Sequence, residues 1–405
     1  MLRKISAPSL LLLIVLVGFP QISETIYTPS LPDIAEQLQV SGNRIQLTLS
    51  IYFLGFAVGV FFWGRLSDLI GRRPSLLWGI AVYGIGSLGC YFSPSSEWLL
   101  VSRFIQAFGA STGSVVTQTI LRESFPNDKR HGMFAQISAA LAFTPAIGPL
   151  LGGWIDQWLG FRAVFMTLIV MSVAIFAFTW TSLQETRDAA SIKKTNSFAV
   201  ARKMLTDGRI WAFGFLIGAM NGILFSYYSE APFIFIDFFG LEPGWFGLLG
   251  ICVALSSIMG AMLSKRLLSR LTAEKIIVWG CLTASAGALI LVALVLIGLQ
   301  SSTISLAFFV ACLFILLLGV GMAIPNCLSL ALVQYKDVVG TAGAVFGLGY
   351  YLLVSLITSG MSYLHNDSLL TMPLYFLCLA IVMILVSTAL VSRSTVGKSL
   401  QTKRS

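Results

Sequence analysis

Apolar runs of about twenty residues recur along this chain from Ala7 to Val391, separated by short clusters of turn-forming and charged residues. A helix of that length crosses a hydrocarbon layer roughly 30 Å thick. Only 11% of the 405 residues are charged and 57% are hydrophobic, whereas a soluble domain carries ~25% charged residues. That deficit excludes an ordinary globular fold. The length accommodates twelve spans with short loops and leaves nothing for a soluble catalytic domain. The first run, Ala7 to Ile26, contains Glu24 and is followed by no small-residue cleavage pattern, so it reads as a span rather than a signal peptide.

The pattern predicts spans near residues 7–26, 46–65, 75–92, 97–119, 132–155 and 162–183, and again near 210–231, 244–264, 275–298, 303–332, 339–363 and 373–392. The fold class is therefore all-α and integral to a membrane. The organisation is a six-helix half over residues 1–183, a hydrophilic linker at 184–209, and a second six-helix half over 210–405 ending in a short basic tail. With that alternation, 23 of the 26 basic residues fall in loops and tails on one side; Arg44 and Arg162 fall on the other, and Arg103 lies within a span. Cytoplasmic loops are enriched in Lys and Arg, so both termini are expected in the cytoplasm. The net charge of +9 is thus a topology signal, and no nucleic-acid partner is expected. Cys90, Cys252, Cys281, Cys312, Cys327 and Cys378 are scattered singly, which suggests neither a metal site nor a disulfide framework.

Ionisable groups inside a bilayer are costly and persist mainly where they face a cavity or a partner. Glu24, Arg103 and Glu230 meet that description. The two glutamates follow Ser23 and Ser229 and are separated by about one half of the chain, which makes them candidate pseudo-symmetric partners across a central cavity. A carboxyl in a partly dry cavity is costly to ionise and can take up a proton near neutral pH, an effect that the Arg103 charge opposes. Gln21, Tyr52, Gln106, Asn221, Tyr228, Asn326 and Tyr350 are further cavity candidates, being polar or amphipathic side chains in apolar spans.

Between the second and third spans runs Gly64-Arg65-Leu66-Ser67-Asp68-Leu69-Ile70-Gly71-Arg72-Arg73-Pro74. Small Gly64 and Gly71 permit a tight turn and close helix approach, and Asp68 can meet a helix N-terminus or an arginine in a charge latch. In the fifth span, Gly148, Gly152 and Gly153 offer a small-residue packing face, and Pro149 removes a helical hydrogen bond and permits a bend.

The loop sequence resembles the signature of major facilitator proteins between helices two and three. Gly148-Pro149-Leu150-Leu151-Gly152-Gly153 is similar to the antiporter motif of that superfamily's drug exporters, and Arg103-Phe104-Ile105-Gln106-Ala107-Phe108-Gly109 to its helix-four pattern, with Ala107 where glycine is usual. Tyr27-Thr28-Pro29-Ser30-Leu31-Pro32, Ile45-Gln46-Leu47-Thr48-Leu49-Ser50 and Gly340-Thr341-Ala342-Gly343 narrow the likeness to the Bcr/CflA branch of twelve-helix drug:proton antiporters. Branch members usually carry an aspartate two residues before that tyrosine. Here the position is Thr25 and the acid is Glu24, turned ~100° around the helix.

The resemblance implies two pseudo-symmetric halves and alternating access. It also implies proton-driven export of small amphipathic molecules or drugs across a bacterial inner membrane, by a monomer whose partners are lipid, substrate and protons and which needs no cofactor beyond the proton gradient. It further implies that Glu123 is the acidic partner of the helix-two loop arginines, forming with Asp68 and Arg72 a cluster that holds the cytoplasmic gate closed while the cavity opens outward. A dedicated exporter or importer of a nucleoside, amino acid or siderophore is the alternative within the fold. An enzyme is disfavoured because His131 and His365 both fall at predicted loops with no paired metal-ligand or nucleophile spacing, and GxxxxGK[ST] is absent, so ATP is not the direct driver.

Overall fold

The computed structural model describes residues 8–125, 127–187, 197–298 and 301–402. The helices are α1 (Leu10–Thr25), α2 (Leu31–Gln37), α3 (Gly42–Ile70), α4 (Arg72–Tyr91), α5 (Ser96–Ser124), α6 (Asn127–Leu141), α7 (Thr144–Leu159) and α8 (Phe161–Ser182). They continue as α9 (Ser197–Leu205), α10 (Gly208–Pro232), α11 (Pro243–Leu267), α12 (Ala273–Leu296), α13 (Thr303–Ala331), α14 (Val339–Leu364) and α15 (Thr371–Thr402). Several start where a side-chain oxygen accepts an otherwise unpaired backbone N–H. Ser9 takes that of Leu12, Ser95 that of Trp98 and Ser302 that of Ser305.

Among the described residues, eleven helical segments are long and apolar enough to cross a membrane. The twelfth is α4, whose glycines and tyrosines make it less apolar and which packs between α5 and α8. The spans agree closely with those expected from sequence, with three differences of physical interest. The Tyr27–Pro32 stretch, expected after the first span, is a short 3-10 turn that runs straight into α2, so one membrane-scale segment extends to Gln37. The final helix runs on to Thr402. The bend expected at Pro149 lies elsewhere: Pro149 sits inside a continuous α7, and the fifth span breaks between α6 and α7, just before Pro145 in the first turn of α7.

The two halves repeat one packing plan. In the first, α5 packs on α1, α3 and α4, and α4 on α8; in the second, α13 packs on α10, α11 and α12, and α12 on α15. The halves then meet along two swapped seams, α7 against α11 and α3 against α14. Because consecutive spans alternate in direction, the start of α1 and the end of α15 share one face, called here the terminal face; the opposite one is the far face. Arg44 and Arg162 lie in the first turns of α3 and α8, which begin at the far face.

Candidate functional site

A cavity of about 250 Å³ lies at the seam, walled by α1, α3, α5 and α7 from one half and α10, α13 and α14 from the other. Of the residues proposed from sequence, Gln21, Glu24, Asn221, Tyr228 and Tyr350 line it, together with Thr144, Phe56, Phe225 and Tyr351. Glu24 is the one carboxylate among its described lining residues and is buried. Gln21 accepts a hydrogen bond from the Thr144 hydroxyl, and the Tyr228 hydroxyl donates to the Pro145 carbonyl at 2.9 Å, tying α10 to α7 across the seam. Aromatic rings form much of the wall: Tyr350 lies 4.3 Å from Tyr351, and Tyr351 4.8 Å from Phe56. Such a surface suits an amphipathic guest, with one carboxyl and several hydrogen-bonding groups set among rings.

The remaining proposed cavity residues sit behind this wall or away from it. Arg103 is fully buried, its guanidinium sandwiched between Tyr27 (3.8 Å to the ring centroid) and Tyr52 (4.4 Å). It donates to Gln106 Oε1 at 2.5 Å, while its Nε and Nη2 find no hydrogen-bond partner among the described residues. Gln106 in turn donates to Ser87 Oγ at 2.8 Å, and the Tyr52 hydroxyl to the Pro20 carbonyl at 3.3 Å. These three residues form a supporting layer one residue from Glu24, since Arg103 also reaches the Ser23 carbonyl at 3.5 Å. Asn326 donates to Ser264 Oγ and the Met322 carbonyl, a tie between α11 and α13 outside the cavity. Glu230 does not line the cavity; it turns toward the far face, where Gln46 and His365 meet it.

At the terminal face Arg72 gathers the charges expected of a latch. It contacts Asp68 at 2.5 Å and makes a two-pronged pair with Glu123 at 2.6 and 3.1 Å. All three belong to the first half, so the latch stiffens the α3–α4 turn against α5 and does not bridge the halves. It is assembled here while the far-face ends of the halves are joined. A residue missed from the sequence completes it: Glu185, just after α8, accepts from the backbone N–H groups of Arg72 at 2.9 Å and Arg73 at 3.2 Å. That carboxylate caps the positive start of α4. Arg73 itself donates to the Trp180 carbonyl and lies over its ring. Gly71 makes the turn with a φ of 103°, and a methyl there would fall on Glu185. Gly64 has no such role, for a methyl at that position would meet only Val115 at ordinary contact distance.

The antiporter-type motif is a close-packing face. A methyl on Gly148 would strike Thr25, one on Gly152 the Ile26 carbonyl, and one on Gly153 the Pro243 carbonyl, so α7 lies backbone-to-backbone against both the first span and α11. Pro149 contributes its carbonyl to the approach of Gly247.

Two repeated six-helix halves with a cavity at their seam are the architecture of a membrane transporter. The family model described as Major Facilitator Superfamily matches residues 13–359, and the chain belongs to that superfamily, whose members are transporters and not enzymes. It is 35% identical over 376 residues to an uncharacterized transporter of Rickettsia bellii, covering 91% of this chain and 93% of that one. It is 30% identical over 371 residues to a chloramphenicol resistance protein of Pseudomonas aeruginosa, covering 91% and 86%. The latter kinship agrees with the drug:proton antiporter branch that the motifs resemble. The crystal structure of a D-xylose-proton symporter matches with a TM-score of 0.74 at 15% identity over 92% of this chain and 96% of the symporter, a likeness of fold.

Proposed function

We propose that this protein is a proton-coupled antiporter that exports small amphipathic molecules across a bacterial inner membrane by alternating access, as a monomer with both termini in the cytoplasm. The observation that carries the reading is Glu24, the one carboxylate among the described residues lining the cavity between the halves. A single acid that binds either a proton or a guest, and is exposed to one face at a time, couples the two flows without any further group. The neighbouring Arg103 layer keeps a fixed positive charge close to that acid. The orientation is supported by the bias of basic residues to the terminal face. Export of drugs is supported by the name of the Pseudomonas relative and by the aromatic wall. The proton gradient is the proposed energy source, and no cofactor is invoked.

The reading is tested by accumulation of a panel of cationic drugs, neutral antibiotics and small metabolites in inside-out vesicles. Uptake against a gradient that collapses on adding a protonophore is expected; uptake indifferent to the protonophore contradicts proton coupling.

A further inference from the structure

At the far face a second titratable cluster sits on the other side of the seam from the cavity. His365 follows α14, and its two ring nitrogens face different carboxylates: Nδ1 lies 2.9 Å from both oxygens of Glu230, and Nε2 lies 3.3 Å from Asp367 Oδ1. Only the doubly protonated imidazolium donates in both directions at once. Glu230 and His365 are almost wholly enclosed, each side chain 3% exposed, whereas Asp367 is 94% exposed. The first half closes over this pair. Gln46 of α3 donates to Glu230 Oε2 at 2.7 Å, Asn43 donates to the carbonyls of Ser362 and His365 at 2.9 and 2.6 Å, and a methyl on Gly42 would fall on the imidazole.

We infer that Glu230 and His365 form a proton-binding clasp for the far-face gate: a proton taken up from that side completes the imidazolium bridge within the second half, gives the enclosed Glu230 its counter-charge, and so lets Gln46 and Asn43 of the first half close over a paired carboxylate. The proton returns to the same side when the gate opens, so the clasp times the cycle without crossing the membrane. This rests on the reading of the chain as an alternating-access transporter, and it does not depend on proton transport by Glu24.

The surroundings favour the charged clasp. An adjoining vestibule of about 420 Å³ is lined by Asp33 and Glu36 of α2, Asp156 of α7, Asp237 beyond α10, and Asp367. The nearby cation of α3, Arg44, is bonded to Glu97 at 2.6 Å, and Glu242 at the start of α11 accepts from Gln157. Burial alone pushes the His365 imidazole down from its ordinary value. The Glu230 hydrogen bond and charge, joined by Asp367 and Asp237, more than reverse that and hold it raised. A group that holds its proton more tightly with the gate closed over it than with the gate open stabilises the closed state below its open-state value, and that contribution is lost as pH rises through the closed-state one. Acid on the far side therefore shuts the gate, which in an exporter returns an emptied protein to the state that loads at the terminal face.

The experiment is a distance measurement on the full chain in lipid nanodiscs between spin labels on p-acetylphenylalanine at Gln39 and Ser368, one on each half, from pH 5 to 9. The long-distance population is expected to rise with pH, by up to about tenfold per unit for one linked proton. The rise is expected to flatten in His365→Gln and in Glu230→Gln. No pH response in the unmodified chain, or an undiminished one in both clasp variants, overturns the inference. Either near-isosteric variant suffices if the other does not fold. Because the readout needs no substrate, failure here is distinct from failure of proton coupling in a flux assay.

Discussion

Arg72 and Glu123, fifty-one residues apart, face each other through two hydrogen bonds of 2.6 and 3.1 Å at the terminal end of the first half. The Arg72 side chain is 8% exposed and that of Glu123 27%, so water screens the pair only in part. Glu123→Gln keeps the shape and removes the charge. It is expected to cost about 2 kcal/mol, below the ~3–5 kcal/mol for breaking a fully buried pair because Glu123 is partly exposed, read as a lowered melting temperature in detergent, with a several-fold slower transport rate. Asp68→Asn, on a side chain 60% exposed, is expected to cost less stability.

The packing face of α7 sets up a contrast between glycines. Gly152→Ala drives a methyl onto the Ile26 carbonyl and is expected to cost about 1–3 kcal/mol and most of the transport rate. Gly64→Ala, which meets only Val115, is expected to leave the melting temperature unchanged. Equal effects at the two positions would contradict the packing described for the α7 face.

Arg103 holds its charge by stacking more than by hydrogen bonds. Arg103→Lys retains the charge and loses the planar sandwich between Tyr27 and Tyr52. A cation–π contact freed of water contributes about 2 kcal/mol, so a drop of at least tenfold in transport is expected. Tyr52→Phe keeps the ring and loses only the bond to the Pro20 carbonyl, so it is expected to retain most activity. Flux assays on the two variants check this ordering.

Gly71→Ala tests the cap on α4. Its φ of 103° and ψ of 165° fall in a region essentially confined to glycine, so a side chain there costs about 1–3 kcal/mol, and the methyl also displaces Glu185. Glu185→Gln removes the capping charge alone and is expected to cost less than 1 kcal/mol by the usual ~0.3–1 kcal/mol of a helix-terminal charge. Thermal melts of both variants distinguish strain from lost charge.

What was legible in the sequence follows from what is local. Apolar runs and the one-sided distribution of arginines are properties of neighbouring residues, and the spans read from them match the structure closely. Glu24 stood out because one acid in an apolar run is conspicuous without knowledge of any partner. The same rule also selected Tyr52, Gln106 and Asn326, and it cannot separate a cavity wall from a hydrogen bond to the next helix, because both satisfy a polar group in lipid. His365 looked like a loop histidine; its partner Glu230 is 135 residues away, and only the α10–α14 packing joins them. Gln46 lay inside a quoted motif with no visible task, since that task is on the other half. Glu185 began what looked like a hydrophilic linker, and nothing nearby in the chain points to the start of α4.

The central claim is that Glu24 exchanges a proton for the exported molecule. Its most direct test is substrate-evoked proton movement in inside-out vesicles, comparing the unmodified chain with Glu24→Gln at matched protein levels. Proton efflux on substrate addition in the first, and its loss in the second, is the expected result. Proton efflux of the same size in Glu24→Gln would contradict it and remove Glu24 from the coupling mechanism.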